Sequence, residues 1–236
     1  MTKNIFFLII VFSSAHLSAQ NISGSRQSLN NAALEYLLES DIQSPLYYGN
    51  EQDAHRRATN HPYYDDRQYT VARLTYNRVI YPEVMLRWDL FRDELIVLSP
   101  DFRHIVLFAE NVNVAELHNR NIIYFRRDEN TPSSPSSGYY ILLYSGSNRI
   151  MEKTVAHLMH RGSNEDLYYA MTTRFFLHND DVYHIIKNRR GLLKVLKSHK
   201  RELKQYISAN RLKYRKNAGE FIYMTVKEYE NLKGLL

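Results

Sequence analysis

Val84-Met85-Leu86-Arg87-Trp88-Asp89-Leu90 is the stretch whose reading decides the fold. Val84, Leu86, Trp88 and Leu90 alternate with Met85, Arg87 and Asp89. A period of two is the signature of a half-buried strand, because successive side chains leave a pleated strand on opposite faces. The pattern predicts an apolar inner face and a solvated outer face that carries Arg87 and Asp89. Phe91-Arg92-Asp93 then turns the chain into a second strand over 94–98.

The same rhythm extends outward. Short, β-branched or aromatic runs bounded by turn residues fall at 104–108, 111–117 and 121–126. Two hairpins follow. One joins 139–144 to 149–159 through Ser145-Gly146-Ser147-Asn148. The other joins 167–177 to 182–187 through His178-Asn179-Asp180-Asp181. Strands so closely spaced leave no room for crossover helices, so they must pair antiparallel. Between them the Ser- and Pro-rich run 131–138 reads as a flexible loop. Upstream, 46–66 is rich in Tyr, His, Asn and Asp, is interrupted by Pro62, and reads as irregular structure.

After residue 190 the period changes. Leu192, Leu196, His199, Leu203 and Tyr206/Ile207 recur every three or four residues, with Lys194, Lys197, Arg201 and Lys204 on another face. That spacing predicts an amphipathic helix, and Phe221, Met224, Tyr229 and Leu232 predict a second. The expected fold class is α+β, mainly β: a meandering antiparallel sheet of roughly eight to ten strands, curved or half-barrel, capped by two C-terminal helices. The β domain spans 46–190, and the helical segment 191–236 packs on that same domain, covering part of the sheet or an open edge.

The N-terminal residues address the compartment. Lys3, the unbroken apolar run 5–12 and the small, polar exit Ser13-Ser14-Ala15-His16-Leu17-Ser18-Ala19 have the order of a secretory signal peptide over 1–19. Cleavage after Ala19 leaves Gln20 at the mature N-terminus, followed by a tether or short helix over 20–45. The apolar run is far short of the ~20 residues that span a bilayer, so no transmembrane helix is expected in the mature chain. With no cysteine, the chain has neither disulfides nor a lipidated N-terminal Cys, so it is not a lipoprotein and its fold must rest on an ordinary core.

Charge is unevenly distributed. Residues 187–216 hold twelve Lys or Arg against the single acid Glu202, a net of +11. The whole chain is +6, so the remainder is net acidic. Such a surface attracts polyanions. For an exported protein the expected partner is an anionic envelope surface or an acidic envelope protein rather than nucleic acid, with Lys194, Lys197, Arg201 and Lys204 as the contact residues.

The segment 46–98 resembles a known family. Leu46-Tyr47-Tyr48-Gly49-Asn50-Glu51, Asn60-His61-Pro62-Tyr63-Tyr64, and the strand pair ending in Val84-Met85-Leu86-Arg87-Trp88-Asp89-Leu90 and Asp93-Glu94-Leu95-Ile96-Val97 are similar to blocks of an uncharacterised family of secreted proteins from Bacteroidota-type bacteria. Tyr48, Asn50, Asn60 and Trp88 depart from that pattern. The resemblance implies a compartment and an architecture. It carries no activity and no catalytic residues.

No catalytic signature stands out. There is no Cys, no Gly-x-Ser-x-Gly and no Gly-rich phosphate loop. Asp89, Asp93 and Glu94 near one hairpin could form the carboxylate pair of a glycan hydrolase, although Asp93 suits the turn and Asp89 the solvated face. His178, His184, Asp180 and Asp181 flank a turn, where Asp and Asn are ordinary turn formers rather than metal ligands. His157 and His160 are three apart on an expected strand, so they face opposite ways. No metal and no cofactor is expected. Tyrosine is abundant, with nineteen copies against one Trp. Tyr47, Tyr48, Tyr63 and Tyr64, with His61 among them, form the expected ligand- or partner-binding segment, since a ring with a polar tip suits a contact surface. His55 lies in the same stretch.

These observations lead to an expected exported, non-enzymatic binding or accessory module, periplasmic or outer-membrane-associated. A periplasmic carrier of an apolar, lipid-like ligand is the alternative, and a glycan hydrolase the third.

Overall fold

The computed structural model describes residues 44–162 and 166–234. The expected leader, and all but the last two residues of the expected tether, lie outside the described residues. Ser44 caps a 3-10 turn, Pro45–Tyr47, which leads into β1 (Asn50–Glu51). An irregular stretch follows, and then β2 (Thr70–Tyr76), β3 (Val79–Asp89), β4 (Glu94–Leu98) and β5 (His104–Val106). Next come β6 (Val112–Leu117), β7 (Arg120–Phe125), β8 (Gly138–Ser145), β9 (Arg149–Arg161), β10 (Asp166–Asn179) and β11 (Val182–Ile186).

All eleven strands belong to one antiparallel sheet, in the order β1-β5-β4-β3-β2-β6-β7-β8-β9-β10-β11. The sheet is thus two meanders joined edge to edge. β2 to β5 run one way, the chain returns through a 3-10 turn at Ala109–Asn111, and β6 pairs with the free side of β2. The count exceeds the expected eight to ten, chiefly because the two-residue β1 is too short to leave a periodic trace in the sequence.

Local chemistry explains the connections. Three hairpins turn on two residues that both have positive φ: Asn77-Arg78, His118-Asn119 and Asp180-Asp181. This is the geometry whose twist matches that of the flanking strands. The last of these narrows the expected four-residue turn at 178–181 to its two central aspartates. Pro82, which cannot donate to a ladder, sits where the β2–β3 register slips between Ala72 and Leu74.

The sheet curls about its inner face but does not close. Leu74, Leu86, Leu95, Val97, Ile105, Leu117, Ile122 and Tyr139 fill the concave side around Trp88, which is 0% exposed. The tip of the β3–β4 hairpin lands on β8 and β9. Ala156 N–H donates to Leu90 O at 3.0 Å, Tyr139 N–H donates to Asp93 Oδ2 at 3.2 Å, and Lys153 forms an ion pair with Asp93. Lys153 is only 8% exposed, and burial pushes its ammonium pKa down. Gly138, at φ +147°, is required here. A Cβ would run into the Asp93 carboxylate and come within 2.6 Å of Lys153 Nζ.

Beyond this curl the helices take over. They are α1 (Arg189–Val195), α2 (Lys200–Ala209) and α3 (Ala218–Leu232). The single helix expected over 192–207 is in fact two. It breaks at Leu196 (φ −86°, ψ 45°) and passes through a 3-10 turn, Lys197–His199. The break leaves Leu192, Leu193 and Leu196 buried on one side of it, and Leu203 and Ile207 on the other. Phe221, Ile222, Val226 and Tyr229 of α3 join them against Ile150, Leu177 and Ile186 of the sheet. Asn188 and Asn217 cap α1 and α3 by accepting from Gly191 N–H at 2.8 Å and Glu220 N–H at 3.1 Å. One buried carboxylate pins α3 to the β8–β9 turn. Glu230 accepts from Tyr144 Oη at 2.6 Å, Asn148 N–H at 2.5 Å and Asn148 Nδ2 at 2.7 Å.

The Ser/Pro run 131–138, expected to be a flexible loop, is tied down. Ser133 Oγ accepts from Tyr183 N–H at 3.0 Å, Ser134 Oγ from Asp128 N–H at 3.1 Å and Ser137 Oγ from Arg127 N–H at 3.0 Å. Hydroxyls that look like linker composition serve as acceptors for otherwise unpaired backbone donors.

Candidate functional site

Residues 52–67 form a strap over the part of the sheet where it fails to close. β2 begins opposite Leu86, so the last residues of β3 have no partner on that side. Pro62-Tyr63-Tyr64 takes the vacant place. Tyr64 N–H donates to Trp88 O at 2.9 Å, Leu90 N–H donates to Pro62 O at 2.9 Å, and Tyr63 bridges Asp89. The other side of the gap is β10, whose N-terminal half is not covered by β11. There the Asn60 amide accepts from Tyr169 N–H at 2.7 Å and donates to Tyr169 O at 2.8 Å, while Thr59 N–H donates to Leu167 O at 2.8 Å. A side-chain amide thus caps a free strand edge that would otherwise invite pairing.

The strap overturns one expectation. By strand parity Asp89 belongs on the outer, solvated face, yet it is 0% exposed because residues 52–63 lie over it. Its carboxylate is fully used. Oδ1 accepts from Phe91 N–H at 2.9 Å and Arg92 N–H at 3.1 Å. Oδ2 accepts from Gln52 Nε2 at 2.9 Å and is paired with His55 Nε2. The His55 ring is met edge-on by Tyr63, Phe91 and Tyr169, with centroids 5.7, 5.9 and 5.9 Å away. A buried carboxylate with four donors is an anchor that holds the strap to the sheet.

Beside this anchor runs a stack of rings and cations: His61, Tyr63, Arg87, Tyr69 and His104. The Arg87 guanidinium lies 3.9 Å from the Tyr63 centroid and 4.3 Å from that of Tyr69. His61 stacks on Tyr63 at 6.0 Å and His104 on Tyr69 at 5.5 Å. Arg87 also donates to Arg67 O at 3.2 Å and Gln52 Oε1 at 3.1 Å. Burial raises the Tyr63 phenol pKa and pushes that of Tyr69 up to about 12, so both rings stay neutral.

Between strap and sheet opens a cleft of about 480 Å³, within the usual size of ligand sites. Its walls include Arg56, Arg57, Arg67, Arg87, His55 and His61, with Asp53 as the acid among them. The arrangement can present positive charge and N–H donors to a ligand. It does not offer a carboxylate pair, since neither Asp93 nor Glu94 lines the cleft. Glu94 is held above the usual carboxylate range, first by desolvation and then by Asp89.

Of the expected contact residues, His61 and Tyr63 line this cleft. Tyr64 turns inward, its ring 5.3 Å from Trp88, and Tyr47 packs against the core. Tyr48 is 62% exposed but lies outside the cleft lining. The four arginines were not among the expected residues. The signal that could have found them was Arg56, Arg57 and Arg67 interleaved with His and Tyr, together with the outward parity of Arg87.

The second expected surface is present as a surface. Lys194, Lys197, Arg201 and Lys204 are all exposed, as are Arg189, Arg190, Lys200 and Arg211. Among the described residues none of them takes part in an ion pair. His178 packs against Tyr183 with tilted rings 4.4 Å apart while Asp180 and Asp181 make the turn, and no group of three or more His, Asp or Glu suited to a metal occurs among the described residues. No helix among them is long and apolar enough to cross a membrane. Comparison with protein-family models, with curated proteins and with solved structures gave no match.

Proposed function

We propose that the protein is an exported binding or accessory module of the cell envelope, periplasmic or outer-membrane-associated. Its helical segment lies against an anionic surface, and its strap cleft is turned to a ligand or partner. The leader-like order of residues 1–19 supports export. The observation that carries the reading is the uncompensated charge of 187–216, where twelve cations face one acid and none of the exposed helical cations is ion-paired among the described residues. A carrier needs an open apolar concavity; here Trp88, Tyr139 and the leucines around them occupy that space, which favours a binding surface over an enclosed ligand.

The helices cover Ile150, Leu177 and Ile186, so deleting them would strip the core, and charge substitution is the cleaner test. Lys194, Lys197, Arg201 and Lys204 replaced together by Gln should weaken sedimentation with phosphatidylglycerol-containing vesicles by up to about a thousandfold at low salt. This follows from about 1 kcal/mol for each cation near such a surface. Binding of the unaltered protein should fall as salt rises. Unchanged binding by the variant, or equal binding of the native protein to pure phosphatidylcholine vesicles, would refute the role of this surface.

A further inference from the structure

The cleft has a chemistry of its own, distinct from that of the helical surface. Three exposed arginines, Arg56, Arg57 and Arg67, line it, and none is ion-paired among the described residues. The nearest buried acid, Asp89, has both oxygens engaged by the turn amides, Gln52 and His55, so it forms no pair with them. Asp53 is the one acid in the lining, against four arginines.

The aromatic rings are committed as well. Tyr63 has Arg87 against its ring and His61 stacked on it, and Tyr69 is likewise placed between Arg87 and His104. Tyr169 is met edge-on by His55 and Phe91, with centroids 5.9 and 5.5 Å away. A neutral sugar or a base that binds by stacking needs an open ring face. The ladder leaves no such platform on Tyr63 or Tyr69, whereas free guanidinium groups suit oxyanions, which they grip with paired N–H donors. The walls are also held in place beforehand. The Asp89 anchor holds the start of the strap and the Asn60 clamp its middle, which lowers the ordering cost of binding.

We propose that the strap cleft binds a small polar ligand through a carboxylate or phosphate group, of the size of an acidic monosaccharide, with Arg56, Arg57 and Arg67 as the recognising residues. This rests on reading the cleft as a working site, and it stands whether or not the helices dock on a membrane.

The probes are glucuronate, glucose 6-phosphate and neutral glucose, titrated into the full mature chain and followed by backbone amide NMR shifts. At least one anionic probe should shift the signals of residues 52–67, with glucose inert, and the comparison of the two anions tells carboxylate from phosphate. Arg56→Gln, Arg57→Gln and Arg67→Gln alter exposed side chains. Each should weaken binding of the active probe by roughly ten- to a hundredfold, the size of one lost charge-assisted hydrogen bond. The four-residue helical variant should bind the probe normally, and the arginine variants should still sediment with anionic vesicles, so that each reading fails on its own data. Equal shifts with glucose, no shift with either anion at millimolar concentration, or unchanged affinity in all three arginine variants would overturn the proposal.

Discussion

Replacing Asp89 with alanine is expected to destabilise the fold by about 3–5 kcal/mol, the range for removing a buried carboxylate on which several hydrogen-bond donors depend. The residue is wholly buried, and its loss leaves four donors without an acceptor: Phe91 N–H, Arg92 N–H, Gln52 Nε2 and His55 Nε2. Each unsatisfied donor is costly away from water. For a domain of this size the melting temperature should fall by roughly 10 °C. Asp89→Asn keeps the acceptor for the two turn amides but turns a donor group toward Gln52 and His55, so it should recover only part of the loss. Thermal unfolding of the three proteins side by side measures this. A near-neutral Asp89→Ala would show that the carboxylate is not the anchor described above.

The second large effect is expected at the other end of the sheet. Glu230→Ala removes the acceptor of Tyr144 Oη, Asn148 N–H and Asn148 Nδ2 from a position with no access to water. The cost should be about 3–4 kcal/mol. It should appear first as loosening of α3, because those three hydrogen bonds tie the helix to the β8–β9 turn. Gly146 sits against this site, where a Cβ would lie 2.5 Å from Tyr144 Oη and 2.6 Å from Glu230 Oε2. The same cluster has a pH signature. The hydrogen bond to Glu230, followed by burial, raises the Tyr144 pKa from 10.0 to about 12. The folded state therefore holds a proton that the unfolded chain has already lost. This contribution is complete below pH 10 and disappears as pH rises toward 12. Tyr144→Phe should flatten the fall in stability across that window, a comparison that isolates Tyr144 from the other tyrosines. An identical alkaline slope in the variant would count against the assignment.

What could be read in the sequence, and what could not, divides along a physical line. The alternation of Val84, Leu86, Trp88 and Leu90 and the closely spaced later strands depend on local periodicity, and the structure has them. The turn at 178–181 was legible too, since Asp tolerates the left-handed backbone that Asp180 and Asp181 adopt there. Asp89 was misplaced because parity tells which face a side chain leaves from, not what lies over that face. The cover comes from residues 52–63, whose contacts with β3 and β10 are remote in sequence; Asn60 and Tyr169 are 109 positions apart. An irregular segment held by non-local hydrogen bonds leaves no periodic trace, so its Tyr, His and Pro composition marked a contact segment without showing the cleft. The arginines escaped notice for the same reason. The break at Leu196 was hidden because the apolar spacing continues across it unbroken. The exposure of Lys194, Lys197, Arg201 and Lys204 was legible, because long cationic side chains opposite a leucine stripe leave little else to expect.

Both the cleft and its proposed chemistry depend on residues 59–64 sealing the gap between β3 and β10. Amide hydrogen exchange at Thr59, Tyr64, Leu90 and Tyr169 tests this most directly, since these four donors make the bonds that hold the strap. They should exchange about a thousandfold more slowly than in a free chain, and Asp89→Ala should release them while β8 and β9 stay protected. Free-chain exchange at Thr59, Tyr64 and Tyr169 in the native protein, with β8 and β9 protected, would mean that the strap does not close the sheet and that no cleft is formed there.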